Sequence, residues 1–310
     1  MRFRWRDLCV LLIVGAASLQ FTSATRAQDV KRSWPIPSNA KSEMINGYPI
    51  TYRDEGRGTP IVFVHGAVTD YRSFEPQFAS LVSSYRVIAP SLRHFYPEQW
   101  NGEGPDFSIE QHAADVAALI KKLDLGKVHL VGWSRGGAVV IEIAKAHPEL
   151  IRTLVMEDGS IVMPVEETPE SRKAAEFTAN NIRTLQENLK AGDINKAAEA
   201  FVDSINGSGA WQKIPEQTKQ MVLANIYTGL GDRSRPRTVC DDLKKFQFPV
   251  LLLTAERSPK SFAFFYAEMR KCRALPEAIV IPGAGHNIHG GNPQAYNQAL
   301  SEFFERAAAN

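Results

Sequence analysis

Two hydrophobic rhythms alternate along the chain. Short apolar runs at 61–64, 85–89, 128–131, 151–156 and 249–254 read as buried strands. Between them, apolar residues recur at helical spacing. One such stretch covers 73–82. Another opens at Ser108 and carries Ala113, Val116, Ala117, Ile120 and Leu123, and a third covers 138–144, ended by His147-Pro148. Gln111 stands three residues after Ser108, the spacing of a capping box. Asn46-Gly47 separates extended segments at 43–45 and 48–54 and predicts a hairpin. A helix over 259–271, a short strand over 278–281 and a helix over 293–307 complete the pattern. Fully apolar strands alternating with helices predict an α/β fold with a mostly parallel central sheet covered on both faces.

The rhythm breaks after the sixth strand. Residues 160–238 contain amphipathic patterns at 170–189, 193–205 and 215–227, separated by Gly192, the run Asn206-Gly207-Ser208-Gly209, and Gly229 with Gly231. This predicts a helical cap inserted into a core made of 43–159 and 239–310. Residues 28–42, with Pro35 and Pro37, read as an N-terminal linker. Ahead of it, Arg2, Arg4 and Arg6 precede an apolar stretch of about a dozen residues, and Thr25-Arg26-Ala27 supplies small residues at both cleavage positions. The expectation is a secretory signal peptide over 1–27, cleaved near Ala27, with export to the periplasm or beyond. The stretch is too short for a stable membrane span.

This leader changes the charge argument. The 310-residue chain is +2, but its first 27 residues hold four arginines against Asp7, so the remainder is −1. No nucleic-acid partner follows from that balance. Two cysteines remain, Cys240 and Cys272. An oxidising compartment would let them pair, although two separate buried thiols are the favoured expectation. Neither spacing nor neighbours suggest a metal site, and no cofactor is called for.

The candidate chemistry centres on Gly132-Trp133-Ser134-Arg135-Gly136, between a buried strand and a helix. Such a turn presents the serine hydroxyl above the sheet, and its glycines remove Cβ atoms that would collide across it. A serine nucleophile needs a base. The candidate is His286 in Pro282-Gly283-Ala284-Gly285-His286. His129 reads as a strand residue, and His112 and His147 as helix-surface residues. A third motif, His65-Gly66-Ala67, ends the strand at 61–64.

Together these three motifs resemble the α/β-hydrolase superfamily, over the whole chain from about residue 43. The resemblance implies a serine hydrolase with Ser134 as nucleophile, His286 as base, and backbone N–H groups of Ala67 and Arg135 as the oxyanion hole. The acid departs from the commonest pattern. Ser258 stands where many relatives carry an aspartate, and a serine cannot balance an imidazolium. Some relatives place the acid one strand earlier, which points to Asp158, with Glu157 and Glu256 as alternatives. Trp133 and His65 are candidates to touch substrate, His65 alternatively only orienting its loop. Arg93 reads as a structural ion-pair residue rather than a substrate contact. Phe177, Phe201, Trp211, Met221 and Tyr227 of the cap either line an acyl pocket or form the cap's own core. The expected substrate is a small or medium carboxylic ester, with lactone hydrolysis or cofactor-free perhydrolysis as variants. The alternative of another class is a ligand-binding protein that kept the fold. Oligomeric state is not legible.

Overall fold

The computed structural model describes residues 34–159, 166–231 and 235–309. The expected leader with its cleavage point at Ala27, the linker's first residues 28–33, and residues 160–165 and 232–234 of the expected cap lie outside the described residues.

The chain opens with β1 (Lys41–Ile45) and β2 (Tyr48–Gly56), joined at Asn46 and Gly47, both with positive φ (48° and 75°). Two consecutive positive φ values give the turn whose twist matches a hairpin, and Asn-Gly adopts them at least cost. Residues 41–42 therefore belong to the sheet rather than to a linker. The arm ahead of them is tied down where Trp34 N–H donates to the Pro97 carbonyl (2.6 Å). Then follow β3 (Pro60–Val64), α1 (Glu75–Leu81), β4 (Arg86–Pro90), α2 (Ile109–Lys122), β5 (Val128–Trp133), α3 (Arg135–Ala146) and β6 (Ile151–Glu157). Helices α4 (Pro169–Lys190), α5 (Ile194–Asn206), α6 (Ala210–Lys213) and α7 (Glu216–Ala224) come next. The core resumes with α8 (Cys240–Lys244), β7 (Val250–Ala255), α9 (Lys260–Cys272), β8 (Ile279–Ile281), α10 (Ile288–Gly291) and α11 (Pro293–Ala309).

Eight strands form one sheet in the order β1-β2-β4-β3-β5-β6-β7-β8. β1 and β2 run antiparallel to their neighbours and the other pairs are parallel. This is the mostly parallel α/β architecture that the continuous apolar strands imply. One apolar layer packs α2, α3 and α9 on one face, with Val139, Val140 and Tyr266 in it. A second packs α1 and α11 on the other, through Phe74, Phe78 and Leu300. A third unites α4, α5 and α7 around Leu185, Phe201 and Val222 and reaches Val68 of the core. Among the described residues no helix is long and apolar enough to cross a membrane.

Local departures have physical causes. Ser108 caps α2, its Oγ accepting Gln111 N–H (3.0 Å), but the reciprocal half of the capping box does not form. Gln111 instead donates to Asp115 one turn on (2.9 Å), a buried charged acceptor. His112, expected on the surface of α2, is fully buried against α3, where Arg135 donates to its Nδ1 and its Nε2 donates to the Arg93 carbonyl. Burial, then the Arg135 charge, pushes this imidazole well below its usual value, so it is neutral. Arg93 is buried in a fork on Asp115 (2.8 and 3.1 Å) with Asp106 beside it, a structural role.

Cys240 and Cys272 form a disulfide, against the expectation of separate thiols. The first residue of α8 and the last of α9 meet with Cα atoms 4.8 Å apart, a proximity invisible across 32 residues of sequence. Closing a loop of that length stabilises a fold by roughly 3–4 kcal/mol in the chain-entropy account. Reduction, or a Cys240→Ser/Cys272→Ser double variant, is expected to lower the free energy of unfolding by about that amount in urea titrations. Coincident curves for the oxidised and reduced protein would contradict this.

Candidate active site

The sharp turn at Ser134 follows from local sterics. Ser134 joins β5 to α3 with φ 51° and ψ −119°, a conformation that L-residues adopt only under strain. The crowding is real. A Cβ on Gly132 would lie 2.5 Å from Val140 Cγ2, and one on Gly136 would meet the carbonyl oxygens of Val64 and His65. The turn is held from the next strand, Ser134 N–H donating to the Glu157 carbonyl (2.9 Å).

Asp158 follows that same residue at the end of β6, with φ 40°, and its N–H bonds the Leu253 carbonyl of β7 (2.9 Å). Register between neighbouring strand ends thus sets the carboxyl near the serine. His286 arrives from the glycine-rich loop after β8, where Gly283 has φ 66°. Its Nε2 lies 2.9 Å from Ser134 Oγ and its Nδ1 3.1 Å from Asp158 Oδ2. The two carboxylate alternatives lie elsewhere. Glu256 is exposed and accepts Gly283 N–H (2.8 Å). Glu157 is fully buried on the opposite side, accepting from His289 Nδ1 (2.6 Å), His289 N–H (3.1 Å) and Tyr296 OH (3.0 Å).

Several partners of this trio lie beyond what the sequence motifs indicate. Thr254 Oγ1 donates to Asp158 Oδ1 (2.8 Å), and Ser258 Oγ donates to Asp158 Oδ2. Ser258, at the position where the resemblance leads one to expect an aspartate, thus bonds the carboxylate that stands one strand earlier. Phe262 of α9 stacks on the His286 ring, with centroids 4.7 Å apart and planes 10° apart. Tyr266, on the same helix, accepts Gly159 N–H (2.7 Å) and donates to the Met156 carbonyl (2.8 Å), bracketing Asp158. Burial, and next the Asp158 charge, raises the Tyr266 phenol far above its usual value, so it remains a donor.

His65 lines neither cavity beside Ser134 and bonds its own loop instead. Leu92 N–H donates to its Nε2 (3.0 Å), so Nδ1 carries the proton and donates to the Gly66 carbonyl (2.9 Å). Burial pushes its imidazole down to about 4, which keeps this neutral tautomer. Fixing the Gly66 carbonyl fixes the peptide plane, and the N–H of Ala67 points the opposite way across a trans peptide. The adjacent Val68 sits at φ 50°, a costly value for a β-branched residue and one met at sites where geometry is over-determined. Arg135 N–H opens α3 beside the serine.

Two cavities, of about 60 and 110 Å³, meet at Ser134 and share Ala67, Phe201, Ile205 and His286. Arg135, Phe177 and Phe262 line the smaller, Trp133 and Met221 the larger. Trp133 also donates from Nε1 to the His286 carbonyl (2.8 Å). Of the other aromatics considered for the pocket, Trp211 is core of the helical layer and Tyr227 is exposed.

Glu157 carries a separate prediction. Its replacement by leucine leaves three buried donors unsatisfied beneath Trp133, whose ring meets His289 edge-on. A loss of about 3–5 kcal/mol is expected from urea unfolding, the scale for leaving several buried donors unpaired. A loss below 1 kcal/mol would show that the network contributes little.

Residues 61–299 match the model of the Alpha/beta hydrolase family, and the chain belongs to that family. It is 27% identical over 263 residues to 2-(acetamidomethylene)succinate hydrolase of Mesorhizobium japonicum, covering 83% of this chain and 91% of the relative. A thermophilic esterase from Thermogutta terrifontis superposes with a TM-score of 0.70 at 24% identity, covering 86% of this chain and 98% of that one. A bromoperoxidase from Bacillus anthracis gives 0.67 at 22% identity, covering 86% and 99%. These two likenesses concern the fold.

Proposed function

We propose that the protein is an exported serine hydrolase of small or medium carboxylic esters, acting through an acyl-enzyme on Ser134. One observation carries this reading. His286 bonds Ser134 Oγ through one ring nitrogen and Asp158 through the other, where two largely apolar cavities meet. A ligand-binding protein has no use for a hydroxyl aligned with an imidazole and a buried carboxylate.

In this reading Ser134 Oγ attacks the ester carbonyl while His286 Nε2 takes its proton. Asp158 holds the ring and balances the imidazolium. The N–H groups of Ala67 and Arg135 receive the oxyanion, stabilised because those dipoles are fixed beforehand. His286 then protonates the leaving alkoxide. Water, activated by the same imidazole, attacks the acyl-enzyme, releases the acid and restores Ser134. A lactone passes through the same steps, with its alcohol still tethered to the acyl group. The Cys240–Cys272 bridge supports export, because disulfides persist in oxidising compartments.

A panel of p-nitrophenyl esters and γ- and δ-lactones tests the reaction class. Acetate and butyrate esters are expected to turn over with a burst approaching one p-nitrophenol per chain, and palmitate poorly, given cavities of this size. Inertness towards every ester and lactone would refute the reading.

A further inference from the structure

Asn225 closes α7 where the helical layer meets the core, and it is 2% exposed. Its side chain makes three bonds. Nδ2 donates to Asp70 Oδ2 (2.7 Å) and to the Met221 carbonyl (2.8 Å), and Oδ1 accepts Tyr96 N–H (2.7 Å). Two acceptors on one side and one donor on the other allow the amide a single orientation. Asp70 lies after β3 and Tyr96 after β4, so one buried amide ties two core loops to α7.

Asp70 ends the loop that starts at His65 and carries Ala67. The loop is held at its start by the His65 bonds to Leu92 and Gly66, and inside it Thr69 Oγ1 donates to the Gly66 carbonyl (3.3 Å). Val68 keeps φ 50° there, which a β-branched residue holds only where its surroundings enforce it. The far end is fixed through Asp70, which is fully buried. Its carboxylate accepts Arg72 N–H (3.0 Å), Nε (2.8 Å) and Nη2 (2.6 Å). Arg72 is two residues along and moves with the loop. Asn225, 155 residues away, does not, and it donates to the same carboxylate. Val222 and Ile226, on either side of Asn225 in sequence, share the apolar cluster of Val68. The cavity walls have supports of their own. Met221 lies within α7, and Thr228 donates to the Asn225 main-chain carbonyl through N–H (3.0 Å) and Oγ1 (2.6 Å).

We propose that Asn225 is a positioning residue for the reaction: it clamps Asp70 from α7 and so holds the strained loop with the Ala67 N–H aimed at the oxyanion. The inference rests on Ser134 as nucleophile and on the Ala67 N–H as one oxyanion donor. Without the clamp the loop is free to relieve the strain at Val68, and the donor loses its aim. A misplacement of about 1 Å at such a group costs about 10²-fold in rate. Ground-state binding is spared, because the cavity walls keep their own supports.

Asn225→Leu keeps the bulk of the side chain and removes its three bonds. In burst kinetics with p-nitrophenyl butyrate, its acylation rate constant is expected to fall about 10²-fold, while the dissociation constant of the ester moves by less than about threefold. Hydrogen–deuterium exchange reads the loop directly: the peptide over 65–72 is expected to exchange at least about tenfold faster, and that over 134–146 at the wild-type rate. Asn225→Asp covers the case in which the leucine variant fails to fold. It keeps the acceptor for Tyr96 but sets a second carboxylate against Asp70, and such a pair takes up a proton as pH falls and can then rebuild the bond. Its acylation rate relative to wild type is expected to rise at least about fivefold from about pH 8.5 to about pH 6, while Asn225→Leu stays at a constant fraction. The other titratable groups around Asp70 keep their charge over that range: Arg72 stays protonated, burial raises the Tyr71 and Tyr96 phenols, and burial holds His65 down at about 4. Wild-type acylation in Asn225→Leu, unchanged exchange over 65–72, or a pH-independent ratio in Asn225→Asp would overturn the positioning role. A loss of ester affinity as large as the loss of rate would overturn it as well. A wild-type protein that forms no fluorophosphonate adduct at Ser134 fails the nucleophile reading and the positioning role with it, whereas a labelled wild type beside an unimpaired Asn225→Leu fails the positioning role alone.

Discussion

Asp158→Asn is expected to lower kcat on a small ester by about 10⁴-fold, the scale seen when a triad aspartate becomes its amide. The amide keeps the size of the side chain but removes the negative charge that balances an imidazolium. It also sets a possible donor against His286 Nδ1, 3.1 Å away, which favours the wrong tautomer. Thr254 and Ser258, which both donate to the carboxylate, lose part of their acceptor capacity, so the ring loses orientation as well as charge. Glu256→Gln is the matched control. Glu256 is exposed, and among the described residues its carboxylate bonds the Gly283 N–H of the loop after β8, so kcat is expected to stay within about threefold. Stopped assays on p-nitrophenyl butyrate compare the two variants. A larger loss for Glu256→Gln than for Asp158→Asn would move the acid role away from Asp158.

Substitution of Ser134 is expected to have the larger effect. Ser134→Ala removes the nucleophile and lowers kcat by about 10⁶-fold, leaving only what cavity binding and the oxyanion donors contribute. The strain at this position adds a second readout. Ser134 holds φ 51° and ψ −119°, a conformation that is inexpensive only for glycine. Ser134→Gly is therefore expected to be equally inactive but more stable to urea than Ser134→Ala, by about 1 kcal/mol. An inactive glycine variant less stable than the alanine variant would mean that the elbow stores no strain.

The parts legible in the sequence are those set by short-range sterics and periodicity. The apolar strands 61–64, 128–131 and 249–254 announce a buried parallel sheet because no face of them tolerates water. Gly132 and Gly136 announce the elbow because the collisions they avoid lie within one turn of chain. Asp158 emerges from the end of a strand, where register with β5 and β7 fixes its place. What was not legible depends on contacts between distant segments. Phe262 reaches His286 because α9 packs on the sheet, and Ser258 reaches Asp158 because β7, which it follows, lies beside β6. The Cys240–Cys272 bridge and the burial of His112 against Arg135 likewise arise from helices docking side by side.

The most direct test of the account is covalent. A fluorophosphonate added to the purified protein is attacked by an activated serine hydroxyl, which forms an O–P bond and expels fluoride. The prediction is one adduct per chain by intact mass, mapped to Ser134 by peptide sequencing, lost in Ser134→Ala and strongly slowed in Asp158→Asn. Absence of an adduct at Ser134 in the folded wild-type protein, or labelling that persists in Ser134→Ala, would contradict the assignment of Ser134 as the nucleophile.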